Sequence, residues 1–488
     1  MPTKWWPGAF AVAVVFGLVA SACTSETPPS AVGPTPIGGR SATEPPPPRD
    51  ESVLANGMRL VGNVPGSDGS FAFWGDLAVV NRWENWIEPG PGDGFVLLDI
   101  SDPTRPTQLA RFRCTASYSD ISIWKDLVFL SQDETTAGDG CDATSASPQD
   151  PGAFAGIRVI SIADPENPVP VAAVPTGIEE TPSARIVRGS HTHTLVPDLG
   201  HTDQNGQPSP RILVYAAHEW KPGPAPDATI VEVPLLDPSA ARVVGTIDNG
   251  TQVECHDISV FMPRDLMACA AYEAGVILFD ISDPVHPVPL SRFVNPHVDA
   301  NGESHHSTTF SNDGKTLVLD AEIYTGAKWR PCAGGTDQRR GALWFYDVSN
   351  PRDPRPRGFF QLPRGNEEHF CYAHESNVIP LSGQRDIVVT GWFGGGVNLV
   401  DFTDPRNPQE IASWVSAGLG GEHSFAYAGY WYDGHVYAGN TSLRTIDHPV
   451  SRRGFDVFEI DRSVVGNAIP LGHMNAQTQE ALPSRPPR

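Results

Sequence analysis

The sequence predicts an all-β chain, a seven-bladed β-propeller of four-stranded blades, and three observations carry that prediction. Gly (47) and Pro (48) together fill about a fifth of the 488 residues, a breaker density that interrupts helices every few residues. Hydrophobic residues make up 40%, with 12 Trp, 21 Phe and 10 Tyr, enough for a sizeable core. One strand–turn–strand segment recurs along the chain, the mark of a fold built by repetition.

The first element is an address. Lys4, an apolar run over residues 8–20 and the small residues Ala20-Ser21-Ala22 before Cys23 read as a secretory signal over residues 1–22. The run is too short for a membrane span, which needs about 20 apolar residues. A small-small-Cys ending resembles the bacterial lipobox, so Cys23 is the expected lipidation site and the membrane, reached through the lipid, a partner. Release without lipid is the alternative, because Ala20 stands where Leu is most usual. Residues 23–50, rich in Pro, Ser and Thr, form a tether with nothing to bury. The expected location is the cell envelope. Export leaves Cys114, Cys141, Cys255, Cys269, Cys332 and Cys371, an even set in a compartment where disulfides persist. The favoured pairs are Cys114 with Cys141 and Cys332 with Cys371.

The repeat occupies residues 51–470. Its fullest copies are Leu97-Leu-Asp-Ile-Ser-Asp-Pro-Thr-Arg-Pro, Leu278-Phe-Asp-Ile-Ser-Asp-Pro-Val-His-Pro, Trp344-Phe-Tyr-Asp-Val-Ser-Asn-Pro-Arg-Asp-Pro and Leu399-Val-Asp-Phe-Thr-Asp-Pro-Arg-Asn-Pro. Alternating β-branched and aromatic residues make a strand, an Asp or Asn side chain caps a turn, and the first Pro ends pairing. Prolines in the strand that follows place it at a sheet edge. Upstream of each copy lies a hairpin such as Trp124-Lys-Asp-Leu or Asn312-Asp-Gly-Lys. Each unit is thus four strands, A to D. Units begin near Ser70, Ser117, Ser190, Cys255, Ser304, Ala373 and Glu422. Radial repetition hides their edges. Residues 58–64 match the outer strand of other units and are the preferred candidate to close the ring, from the N-terminus; residues 468–474 are the alternative, from the C-terminus. Residues 471–488 form a C-terminal tail, expected to be loose beyond about Gln477.

These copies resemble the LVIVD repeat of bacterial and archaeal cell-surface proteins. The resemblance implies a propeller and leaves activity unassigned.

Overlaying the A-strands puts Gly69, Ser119, His191, His256, His305, His374 and His423 in register. Innermost strands line a propeller's axis, so five imidazoles would ring one mouth. His193 shares their face by strand alternation, and His306 should point away. Neutral imidazole suits Cu, Fe or Zn, which makes a transition metal the expected cofactor and His191, His256, His305, His374 and His423 its candidate ligands. Hydrogen-bonded structural histidines are the competing reading. Glu254, Glu303, Glu375 and Glu422 lie close enough in sequence to orient the imidazoles. Glu219, Glu273 and Glu322 fall at strand ends on the same rim. The absence of an Asp-rich ring argues against calcium. Topology places the Asp-Pro turns on the far face and the long loops, including residues 132–155, on the histidine face. Loops clustered over one mouth form a binding rim.

Charge excludes one class of partner. Asp plus Glu (57) exceed Lys plus Arg (34), for a net charge of -23, and no basic patch offers a footprint for nucleic acid. GxSxG, HExxH and P-loop motifs do not occur. The function expected is therefore a monomeric, surface-anchored propeller with an axial metal, acting as an oxidoreductase or, less favoured, a hydrolase on a small organic substrate. The alternative is a non-catalytic module that binds a protein or glycan through the loop-rich face. Carotenoid-cleavage oxygenases and selenium-binding proteins are similar in architecture, as propellers with axial histidines.

Overall fold

A computed structural model of the protein describes residues 53–66, 69–82, 94–115, 120–182, 184–218, 227–322, 339–362, 372–416, 425–441 and 454–482. Its ladders resolve into seven antiparallel meanders of four strands. The innermost strands are Phe71–Trp74, Ile121–Trp124, His193–Asp198, Asp257–Phe261, Ser304–Phe310, Tyr372–Val378 and Phe425–Tyr432. Each touches the next, and the seventh returns to the first where Phe73 stacks on Tyr432 with ring centroids 4.5 Å apart. The protein is a β-propeller, as its sequence predicts. Among the described residues no helix is long and apolar enough to cross a membrane.

Blade four shows why the sequence folds this way. Leu266–Ala271 is buried throughout because both of its faces meet other blades, whereas the outermost strand, Val288–Phe293, alternates between exposed and half-buried positions. The core therefore lies between blades. Leu213 and Tyr215 of blade three pack with Ile258, Met267 and Phe279 of blade four in one such layer. Blades six and seven come closer still: their inner strands pair directly in parallel at Glu375↔Ala428, which merges them into one nine-stranded sheet.

The ring closes as expected from the N-terminus. Met58–Pro65 supplies the fourth strand of the last blade, from Met58↔Ile460 to Pro65↔Gly454.

The Asp-Pro segments are serial turns. Asp99, Asp280, Asp347 and Asp401 each accept a hydrogen bond from the backbone N–H two residues on, at 2.8, 2.9, 2.9 and 3.0 Å. Asp102, Asp283 and Asp404 repeat the bond one turn later at 3.1 to 3.2 Å. Hydrogen bonds from side chains in the same turns, with these amides, hold the carboxyls below their ordinary range; the amide is the leading cause at Asp99 and Asp347. The turns also interlock blades. The Ser291 hydroxyl donates to Pro351 O at 2.5 Å. Gly358 occupies the corresponding place one blade on, where a Cβ would stand 2.0 Å from Pro405 O.

One expectation needs correction and one feature is new. The C-terminal segment is docked as far as Leu482: His473–Met474 pairs with the inner strand of blade one, and Thr478–Gln479 with that of blade four. Its amide side chains find backbone partners, which a composition-based reading does not register. A disulfide joins Cys255 to Cys269 across neighbouring strands of blade four, a pair not foreseen. Cys114–Cys141 forms as predicted, while Cys332, Cys371 and Cys23 lie outside the described residues.

Gly358→Ala should lower unfolding stability by about 1–3 kcal/mol, because the clash is with backbone that cannot swing aside. A denaturation midpoint equal to wild type would show that the turn of blade six does not seat on blade five.

Candidate functional site

The axis carries two layers of buried polar groups, and the upper one is a row of imidazoles. His191 and His256 have ring centroids 4.8 Å apart, His256 and His306 4.0 Å, and His306 and His374 4.4 Å. His306 Nε2 lies 3.0 Å from Glu322 Oε2. His306, Glu322 and His374 each offer a donor atom, and the three atoms lie within 4.8 Å of one another.

Backbone and loop acceptors fix the ring orientations. His374 Nδ1 donates to Tyr427 O at 2.9 Å and His256 Nδ1 to His306 O at 3.1 Å. His191 Nδ1 donates to the Asp133 carboxylate at 3.0 Å. In each case the outer nitrogen holds the proton, which leaves Nε2 as the basic atom. His306 is held through Nε2, and its Nδ1 is buried without a hydrogen-bond partner. Asp133 reaches His191 because Gly189 has no side chain: a Cβ there would lie 1.9 Å from Asp133 O.

Burial disfavours the charged form of two of these imidazoles. His256 falls well below the ordinary range, first through desolvation and then through its histidine neighbours, and His374 falls to about 3 for the same reasons. Burial pushes Glu322 up, yet His306, with further help from His374 and His191, outweighs it and brings the carboxyl down to about 2. The upper layer thus sets His256 and His374, which burial disfavours protonating, in a row with a carboxylate that keeps its charge. Tyr372 hydrogen-bonds Glu322, and Phe393 stacks on His374 at 4.4 Å.

The register prediction misplaces one ring. His305 turns off the axis, where its Nδ1 donates to Tyr272 O at 2.7 Å and its Nε2 accepts from Asn295 N–H at 2.9 Å. A bulge between His305 and Ser307 breaks strand alternation and swings His306 inward instead. Docking contacts show the true equivalence. Ile123, Leu195, Val260 and Phe310 all meet the C-terminal segment, and they follow positions 119, 191, 256 and 306 by four residues each. Counting from the far ends of the strands would have identified His306.

The other candidates scatter. His193 bonds Ser131 Oγ at 2.8 Å and lies below the ring. Glu303 accepts the Gly341 N–H at 2.8 Å and is pushed by burial to about 8. Glu375 accepts the Tyr430 hydroxyl. Glu254 bears on Asp227, whose carboxyl rises to about 6, chiefly through burial. Glu273 is exposed. The acid that orients an imidazole is Asp133, from the loop over residues 132–155, which sequence spacing could not connect to blade three. His423, Glu422 and Glu219 lie outside the described residues, as do most of the remaining long-loop residues assigned to this mouth.

Below the imidazoles, buried Asp120, Asp257, Asp320 and Glu375 from four blades form the second layer; Asp120, Asp257 and Glu375 each directly follow an overlaid position, Asp320 comes from the second strand of blade five, and the sequence reading singled out only Glu375, as an orienting acid. Desolvation raises Asp257 and Asp320 to about 7 and Glu375 well above its ordinary range. Ser307 and Ser376 donate to Asp320 at 2.8 and 3.1 Å.

No family model matches the chain, and no curated protein does. Solved structures similar to it include Raptor from Chaetomium thermophilum, with a TM-score of 0.47 and 12% identity over 86% of this chain and 30% of that one. Sqt1 from Saccharomyces cerevisiae gives a TM-score of 0.45 and 10% identity over 86% of this chain and 100% of its own. The chain thus spans about a third of the Raptor chain. At these identities the likeness extends to architecture alone.

A raised carboxyl gives the folded state a proton that the unfolded state has lost, so between about pH 4 and 7 Asp257 makes stability fall as pH rises. Asp257→Asn should remove that slope. The variant's stability relative to wild type should be greater at pH 8 than at pH 5, by up to about 2–3 kcal/mol. Parallel Tm–pH curves for the two proteins would show that Asp257 is ionised throughout.

Proposed function

We propose that the protein is a surface-anchored propeller of the LVIVD type that holds one transition-metal ion through His306, Glu322 and His374 and acts on a small organic molecule at the loop-bearing mouth. The observation that carries this reading is the donor set itself. Two imidazoles and a carboxylate, with donor atoms within 4.8 Å of one another, come from two neighbouring blades. Two histidines and one carboxylate suit Fe(II) or Zn(II), both of which leave coordination positions open for a substrate.

Protonation favours the same reading. Cation binding needs neutral imidazole and ionised carboxylate, and burial lowers His374 while His306 lowers Glu322. The orphaned Nδ1 of His306 is a buried polar atom of the kind that a bound group satisfies. His256 and His191 extend the row away from this set, with His191 partly open toward the mouth. A bound ion would supply Lewis acidity, or redox capacity where it is iron. The chain's own residues hold the rings in place through Tyr427 O, His306 O and Asp133, and they exclude bulk water. Tethering through a lipidated Cys23 would keep the site at the envelope surface.

Elemental analysis of untagged full-length protein tests the reading. Wild type should carry close to one equivalent of iron or zinc. His306→Ala with Glu322→Gln should lose at least about tenfold in affinity, while His305→Gln should retain the metal. Affinity should also fall as the pH approaches about 3, where a proton competes with the ion for His374. Metal-free wild type from a metal-replete preparation, or unchanged content in the double variant, overturns the site. Capture of a defined envelope protein or glycan by such metal-free protein would favour the binding-module alternative.

A further inference from the structure

The innermost strands end at the lower mouth with peptide N–H and C=O groups that no further strand covers, and buried backbone groups of this kind need partners. Residues 467–482 supply them around the ring. Asn467 O and Ile469 N–H bond the Ser382 and Pro380 backbone in blade six at 3.1 and 2.7 Å. Gly472 O accepts from Gly75 in blade one at 2.8 Å. Asn475 then grips the Ile123 peptide groups of blade two from both sides: its Oδ1 accepts from N–H at 2.8 Å and its Nδ2 donates to C=O at 2.9 Å. Thr478 donates to Leu195 O in blade three at 2.7 Å, and Gln477 O accepts from Val260 in blade four at 2.8 Å. Gln479 grips Phe310 of blade five as Asn475 grips Ile123, with both bonds at 2.7 Å.

The ring uses the same device internally. Asn377 of blade six clamps the Trp431 backbone of blade seven, accepting at 2.9 Å and donating at 3.4 Å. Side-chain amides that reproduce a strand's donor–acceptor pair are therefore the recognition element of this mouth. Beyond these backbone bonds, His473 stacks on Trp74 at 4.4 Å, meets Trp124 edge-on at 5.4 Å and pairs with Glu480 at 2.7 Å. A cavity of about 210 Å³ remains between the segment and Phe261, Asn312, Asn377 and Pro380.

We propose that the lower mouth is a binding site for an extended polypeptide with amide side chains at positions i and i+4, occupied in this chain by its own residues 467–482. The segment closes the axial channel from below. Its Gln477 side chain bonds Asp257, the residue after His256, so the occupant touches the acid layer directly and leaves the loop-bearing mouth as the route to the imidazoles. The site depends on backbone geometry and stands whether or not the upper layer holds a metal.

The test uses full-length protein. In Asn475→Ala/Gln479→Ala, hydrogen exchange at the Ile123 and Phe310 amides should quicken at least about tenfold over wild type, since both lose their acceptors. A fluorescein-labelled peptide with the sequence of residues 471–482 should bind this variant saturably and at least about tenfold more tightly than it binds wild type, whose site is filled. Unchanged exchange at both amides overturns the proposal, and so does a variant whose amides open but which captures no peptide. Where the double variant does not fold, Gln479→Ala alone is read at the Phe310 amide and by peptide binding, with the same criteria.

Discussion

Most polar side chains that line the axis leave water, and they are held by partners on a neighbouring blade or on their own. Burying such a group unpaired costs several kcal/mol on transfer scales, so the axis stands only where neighbouring blades answer one another. Asp320 is satisfied by Ser307 on its own blade and Ser376 on the next. The His256 ring is fixed by the carbonyl of His306, the His374 ring by that of Tyr427. Bonds of this kind set blade register as much as the hydrophobic layers do, because apolar contacts tolerate small slips and a buried hydrogen bond does not.

The architecture was legible because its rules are local. Asp-Pro turns, hairpin signals and strand alternation act within a few residues, so blade boundaries and the closing strand over residues 58–64 could be read from the sequence. The axial site was legible only in part. His256 and His374 face the centre as strand overlay predicted, but His305 and His306 exchange roles because a bulge adds one residue to the inner strand. Alternation holds as far as the first bulge and inverts beyond it. Asp133 and Gln477 were missed for another reason. Each reaches the axial groups from a distant part of the chain, and nothing in local sequence encodes that proximity.

The C-terminal segment shows how closure and occupancy are combined. An N-terminal strand completes the last blade by pairing along its edge, which joins the ends of the chain at the ring's circumference. Residues 467–482 act at the lower mouth instead, touching six blades through bonds made almost entirely to backbone. The two devices oppose different failures: edge pairing resists opening between the first and last blades, whereas the segment resists spreading of all the inner strands at once. Buried Asp257 gains from the second device, since its Gln477 partner arrives only when the segment is seated.

A single physical cause sets the charge state of both axial layers. Desolvation favours the uncharged form of any ionisable group. It lowers His256 and His374, so the rings stay unprotonated, and it raises Asp257, Asp320 and Glu375, so protons stay on carboxyls. Glu322 runs against that trend. Burial pushes it up like the others, but its position beside His306 brings it down. That leaves a charged carboxylate on one side of the axis, between blades five and six, near His374, which burial disfavours protonating. The charge of the upper layer is therefore off-centre, set by the residues facing this gap rather than by a symmetric ring of histidines.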